Sequence, residues 1–164
     1  MLERIVICNT SPLLYLHQVG QLNLLPQLYG DVVIPPAVEK ELLVGAKKGI
    51  DVPDTSRLPW LKMRPLADST LLPAIVDLGP GEAEVLALGL AHPNCLLILD
   101  DQLGRQIARL NNLTYTGTVG LLIKAKREGF LPAIAPVLDE LQRTNIWLDK
   151  ALIQLVLAEA NEFQ

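Results

Sequence analysis

The chain predicts an α/β domain built on a doubly wound parallel sheet with helices on both faces. Three observations predict it. Cys95-Leu-Leu-Ile-Leu99 is an unbroken apolar run of strand length, the pattern of a strand covered on both sides. Ile5-Val-Ile-Cys8 repeats that pattern near the start, and further short apolar runs alternate with stretches of helical periodicity. Half of the 164 residues are hydrophobic but only 4% are aromatic, so the core must be Leu, Ile, Val and Ala. A chain of this length is expected to form one domain, here 1–164.

Each element follows from local chemistry. The first strand, Ile5–Cys8, stops at Asn9-Thr-Ser-Pro12, where Ser11 suits an N-cap and Pro12 the first helical position. Leu13, Leu14, Leu16 and Val19 give a short helix closed by Gly20, and a second short helix is expected from Gln21 to Tyr29. Asp31–Ile34 reads as a strand, and Pro35-Pro36 starts a helix that carries Glu39 and Glu41 and gives way to a loop from Gly45 to Asp54. Trp60–Arg64 alternates weakly, as an edge strand does, and 68–76 is expected to be helical. Gly79-Pro-Gly81 opens the central helix, which His92-Pro-Asn94 ends. The strand over Cys95–Leu99 then runs into Asp100-Asp101. A helix over 102–110 carries Arg105 and Arg109; a strand over 113–115 follows, and Gly117-Thr-Val-Gly120 turns into a helix ending near Gly129. Pro132 opens a helix to about Gln142, 147–148 is extended, and Asp149 caps a last helix from Lys150 to about Ala160.

Composition narrows the function. The net charge of −4 gives no global positive field to attract nucleic acid, so such binding needs a local basic patch or a bound metal. No run reaches the ~18 apolar residues of a membrane span, and the N-terminus lacks the apolar segment of a signal peptide. A cytoplasmic location is therefore expected, with Cys8 and Cys95 as buried free thiols. Only 20% of residues are charged and the mean hydropathy is +0.31, which points to a buried partner surface. The last helix is apolar nearly all round, from Ala151 to Ala158, so a homo-dimer or higher homo-oligomer is expected.

The chemistry should lie at the strand ends. Parallel strands bring Asn9 and Asp100-Asp101 to one edge of the sheet, where open α/β sheets place their ligands. Glu41, one turn beyond Ala37, and Glu84, near the start of the central helix, could reach the same edge. Scattered acids without a His-rich cluster suit Mg²⁺ or Mn²⁺ better than Zn²⁺, and such ions serve phosphodiester hydrolysis. The same acids have plainer roles: a carboxylate in a first helical turn is favoured by the helix dipole, and Asp is common after a strand. Glu82 points ~200° away from Glu84 on a helical wheel, so both do not easily face one site. Lys124, Lys126 and Arg127 could clamp phosphates or simply complement a helix C-terminus.

Asn9-Thr-Ser-Pro-Leu-Leu14, Val38-Glu-Lys-Glu-Leu42, Leu78-Gly-Pro-Gly-Glu-Ala-Glu-Val-Leu-Ala-Leu88, Leu96-Leu-Ile-Leu-Asp-Asp101 and Gly117-Thr-Val-Gly-Leu-Leu-Ile-Lys-Ala-Lys-Arg-Glu-Gly129 together resemble a PIN domain, in its prokaryotic branch of predicted nucleic-acid-binding proteins related to toxin ribonucleases. The resemblance implies a PIN-like sheet with additional C-terminal helices from about 131, which would serve as an interface extension. It also implies a Mg²⁺- or Mn²⁺-dependent ribonuclease site. The family's acids fall on Asn9, Glu41, Glu84 and Asp100, with Asp101 as an extra metal ligand; Glu41, Glu84 and Asp100 would be catalytic. Ser11 matches the family's hydroxyl, and Arg105, Thr118 and Lys124 join it as substrate-binding candidates. The family pattern has Asp where this chain has Asn9, which removes one negative charge.

The expected function is RNA cleavage, as the toxin of a toxin–antitoxin pair with an antitoxin protein as partner. The rival is a catalytically silent module that binds nucleic acid or protein. A receiver-type phosphoacceptor also clusters acids at strand ends, but it needs an acid pair after its first strand, and here the pair comes late.

Overall fold

A computed structural model describes residues 4–67, 77–144 and 150–162. Five strands, β1 (Ile5–Cys8), β2 (Val32–Ile34), β3 (Leu61–Met63), β4 (Cys95–Ile98) and β5 (Thr114–Thr116), form one sheet in the order β3-β2-β1-β4-β5. Every pairing is parallel. β1 and β4 align from Ile5 opposite Cys95 to Cys8 opposite Ile98. All four residues of β4 are buried, as are all three of β2, which requires cover on both faces of the sheet. The helices that supply it are α1 (Thr10–Gln18), α2 (Leu24–Tyr29), α3 (Pro36–Lys47), α4 (Pro80–Ala91), α5 (Gln102–Leu110), α6 (Thr118–Arg127), α7 (Ala135–Gln142) and α8 (Lys150–Glu159).

The order of strands fixes where a ligand can bind. From β1 the chain steps outward to β2 and β3; it then returns to the other side of β1 to lay down β4 and β5. The direction of winding reverses between β1 and β4, and doubly wound sheets place their ligands beyond the carboxyl ends at such a point. Asn9 follows β1 there, and Asp100 stands two residues beyond β4.

Several boundaries differ from the sequence reading, each for a physical reason. α1 starts at Thr10 with Asn9 as its N-cap, so Ser11 is inside the helix rather than its cap. α2 begins at Leu24, since Leu22 and Asn23 form a turn. α3 runs on through Gly45 to Lys47; Gly45 packs against Val52, and the chain turns at Gly49, whose φ is +82°. α7 begins at Ala135, three residues after Pro132. The helix expected over 68–76, the extended pair 147–148 and the Asp149 cap lie outside the described residues.

α8 packs on its own chain. Val156, Leu157 and Ala160 are buried, and Leu155 is 66% exposed. Lys126 bonds the Ala160 carbonyl and, at 2.7 Å, Glu162 Oε2; Glu162 in turn accepts from the N–H groups of Ile134 (2.7 Å) and Ala135 (3.1 Å). One carboxylate thus joins the end of α6, the start of α7 and the chain after α8. Among the described side chains, Val156, Leu157 and Ala160 are therefore covered without a second subunit. Among the described residues no helix is long and apolar enough to cross a membrane.

Candidate metal centre at the carboxyl edge

Helix N-termini hold the acids of this edge. Their unpaired N–H groups and positive dipole end attract carboxylates. Asp100 takes the start of α6: its Oδ1 accepts from the Thr118 N–H at 2.8 Å and its Oδ2 from the Thr118 hydroxyl at 2.6 Å. Asp101 caps α5 by accepting from the Gly104 N–H at 2.8 Å. Glu41 reaches from α3 to the start of α4, where its Oε1 accepts from the Gly81 N–H at 3.0 Å; its Oε2 accepts from the Thr10 hydroxyl. Glu84 is turned to the start of α3 and accepts from the Ala37 N–H at 3.0 Å.

Two glycines make these approaches feasible. A Cβ at residue 81 would stand 2.5 Å from Glu41 Oε2, and one at residue 117 would stand 2.6 Å from Asp100 Oδ1 and overlap the Arg105 guanidinium. The Gly-rich blocks of the sequence therefore act by leaving room for carboxylates. Arg105 folds back from α5, donates from Nε to the Leu99 carbonyl at 3.0 Å and brings Nη2 to 3.7 Å from Asp100 Oδ1. Its guanidinium lies 5.5 Å from the centroid of the Tyr115 ring.

Asn9 stands apart from these bonded groups. Its N–H continues the ladder to Ile98 at 2.9 Å, which seats it beside the end of β4. The side chain is 3% exposed, caps nothing, and its Oδ1 is buried with no hydrogen-bond partner. A buried, unsatisfied amide oxygen carries a desolvation cost of roughly 1–3 kcal/mol. Burial first and the charge of Asp100 second push the Cys8 thiol well above its ordinary range, and the same two causes raise the Tyr15 phenol. The negative field of Asp100 thus extends to β1 and α1.

Glu82 is the acid that sequence reasoning passed over. Burial raises its carboxyl, and the charge of Asp101 adds to this; Glu41 contributes a further, smaller push in the same direction. Thr10 was also missed. Its hydroxyl, rather than that of Ser11, bonds an acid, and no hydrogen bond from the Ser11 side chain is present among the described residues. A polar residue directly after Asn9 at a strand end was the available signal for Thr10. Lys124 does not join the acids; its ammonium lies 4.7 Å from the centroid of the Tyr29 ring.

The donor set fits a hard divalent cation. Every polar group on offer is oxygen, one of them is orphaned, and each engaged carboxylate oxygen keeps a second lone pair. The side chains are nevertheless spread by their helix anchors: among the described residues no three His, Cys, Asp or Glu stand close enough together to hold an ion.

The DUF3368 family model, described as a PIN domain, matches residues 5–162. A PIN domain is in general a nuclease fold served by divalent metal ions, and it suggests nucleic-acid binding. No curated protein and no solved structure matches the chain. Since that match takes in all five parallel strands, the reversal of winding between β1 and β4 and every acid near it, the chain belongs to the PIN-domain family.

Proposed function

We propose that the protein is a Mg²⁺- or Mn²⁺-dependent endoribonuclease. The observation that carries this reading is the orphaned Oδ1 of Asn9, buried at the point where the sheet reverses its winding and flanked in the chain fold by Asp100. Asn9, Glu41, Glu84, Asp100 and Asp101 are the residues proposed to hold the ion, and Glu82 joins them through its closeness to Asp101 and Glu41. When bound, the ion would supply positive charge to a scissile phosphodiester. The chain's own residues do the rest. Thr118 fixes both oxygens of Asp100, and Gly81 with Thr10 fixes both of Glu41, so each acid keeps one orientation. Arg105, held by Leu99 and beside Asp100, is the cation placed to meet a phosphate at this edge. Ser11 offers a hydroxyl to the same strand of RNA, whereas Thr118, fully buried with its hydroxyl on Asp100, acts by fixing that acid.

The test is cleavage of a labelled RNA oligonucleotide in Mn²⁺ by wild type and by Asp100→Asn. Loss of cleavage with the fold retained is expected, because a hard-cation site depends on its anionic oxygens. Equal cleavage by nuclease-free preparations of both would refute the reading.

One observation favours a second reading. Each acid already serves a helix N-terminus, and the group is not gathered around one point. A catalytically silent PIN module that binds nucleic acid or a protein partner would keep these anchors and fail to turn over RNA. As further proposals, the chain acts in the cytoplasm as a toxin, forms a homo-oligomer, and meets an antitoxin through the helices from about residue 131, where Leu155 lies open.

A further inference from the structure

We infer that the protein carries a second contact for a nucleic-acid strand, a basic cleft along the β3 side of the sheet. The cleft has a volume of about 600 Å³ and runs from the amino ends of β1 and β2 to the edge strand β3. Arg4 stands before β1, Tyr29 and Asp31 before β2, and Lys62 and Arg64 project from β3 and its end. Lys62 pairs in register with Val33, so β3 brings its basic side chains alongside the lining of β2.

The charge pattern separates this cleft from ordinary surface. Arg4, Lys62 and Arg64 are exposed, and none makes a salt bridge among the described residues. Lys124 adds a fourth cation, seated over the ring of Tyr29 at 4.7 Å. Asp31 is the acid in the lining and Glu128 acts on Tyr29 from beyond it, so three lining cations face one lining acid. In a chain with a net charge of −4 this is a local excess of positive charge. Several unpaired cations along one cleft are the arrangement that attracts a nucleic-acid backbone, with phosphates on Lys and Arg. The length of a four-residue strand, roughly 13 Å, separates the amino ends of β1 and β2 from the carboxyl edge, so a strand of several nucleotides touches both the cleft and the acids. The cleft therefore holds the strand while its scissile bond lies among the acids. This inference rests on the ribonuclease reading for its substrate class.

The experiment measures binding of a fluorescein-labelled 12-nucleotide poly(U) RNA by anisotropy, in EDTA, across a salt series. The proteins are wild type, Lys62→Ala/Arg64→Ala and Asp100→Asn, each checked by circular dichroism. Both altered cleft residues are exposed, so the double variant keeps its fold. Binding by the double variant is expected to weaken about tenfold, and the slope of log K against log salt to fall by about 1.4, since each phosphate contact contributes ~0.7 on single strands. Asp100→Asn is expected to bind as wild type does while losing cleavage in Mn²⁺, which separates failure of the cleft from failure of the catalytic reading. Unchanged affinity and slope in the double variant overturn the inference. So does displacement of the RNA by uridine monophosphate or inorganic phosphate at concentrations near the RNA's own Kd, because the cleft would then be a small-phosphate site.

Discussion

The carboxylate of Glu41 occupies the space that a side chain at Gly81 would need. A Cβ at residue 81 would lie 2.5 Å from Oε2, 2.8 Å from Oε1 and 2.9 Å from Cδ. Gly81→Ala therefore has to push Glu41 away from the N-terminus of α4, or shift the helix itself. The expected loss is about 1–3 kcal/mol, the usual range for overpacking a buried site. Urea denaturation measures it, and metal affinity should fall with it. A variant as stable as wild type would show that Glu41 relaxes freely and is not held by this contact.

Thr118 has a similar bond to Asp100, made by its hydroxyl as well as its N–H. The residue is fully buried. Thr118→Val keeps the shape and removes only the hydroxyl, so a loss of ~1–3 kcal/mol is expected, as for a hydrogen bond to a charged group. Thr118→Ser should restore most of it. Chemical denaturation of the three proteins checks the order, and RNA cleavage should follow the same order if Asp100 must be fixed to work.

Glu162 links stability to pH. Burial acts to raise its carboxyl, but the Lys126 ammonium and the N–H groups of Ile134 and Ala135 outweigh this and leave it below the ordinary value of 4.5. The unfolded chain therefore takes up this proton first as pH falls. The stabilisation is fully present above about pH 4.5 and is lost as pH drops through the lower folded value. Thermal denaturation from pH 7 to pH 3 should show wild type above Glu162→Gln at neutral pH, with the gap closing below pH 4.5. A constant gap would mean that the carboxylate's charge is not what joins α6 to α7.

The sequence foretold the centre of the fold better than its edges. Ile5–Cys8 and Cys95–Leu99 are apolar throughout because both faces are covered, so their pattern identifies central strands with no further information. Gly45 misled because glycine ends a helix only where φ turns positive; that happens at Gly49, while Gly45 serves close packing against Val52. Asp100 and Asp101 were legible at the carboxyl edge because a strand end has one direction and a parallel sheet one such edge. Glu82 and Glu84 were harder. A helical wheel separates them but cannot say which faces the edge, since that depends on how α4 crosses α3. The structure turns Glu84 to the Ala37 N–H and leaves Glu82 near Asp101. The return of Arg105 from α5 to Leu99 and Asp100 needs Gly117 opposite it, a contact between distant residues that no local pattern reports.

Asn9 sits at the end of β1 beside β4, buried and with its side-chain oxygen unbonded. Its buried oxygen offers a ligand without a charge. Asn9→Asp should lower stability in the absence of metal, because it buries a carboxylate near the negative charge of Asp100. Excess Mn²⁺ should recover that loss by binding the folded state alone. Thermal denaturation with and without Mn²⁺ reads both effects.

Calorimetric titration of Mn²⁺ into wild type, Asn9→Asp and Asp100→Asn tests the metal centre most directly. Added charge on a hard-oxygen site strengthens it and lost charge weakens it. Asn9→Asp is expected to bind about tenfold or more tightly than wild type, as an added anionic oxygen implies, and Asp100→Asn to show no binding. Equal affinities in the three proteins would contradict the account and leave these acids as anchors for helix N-termini.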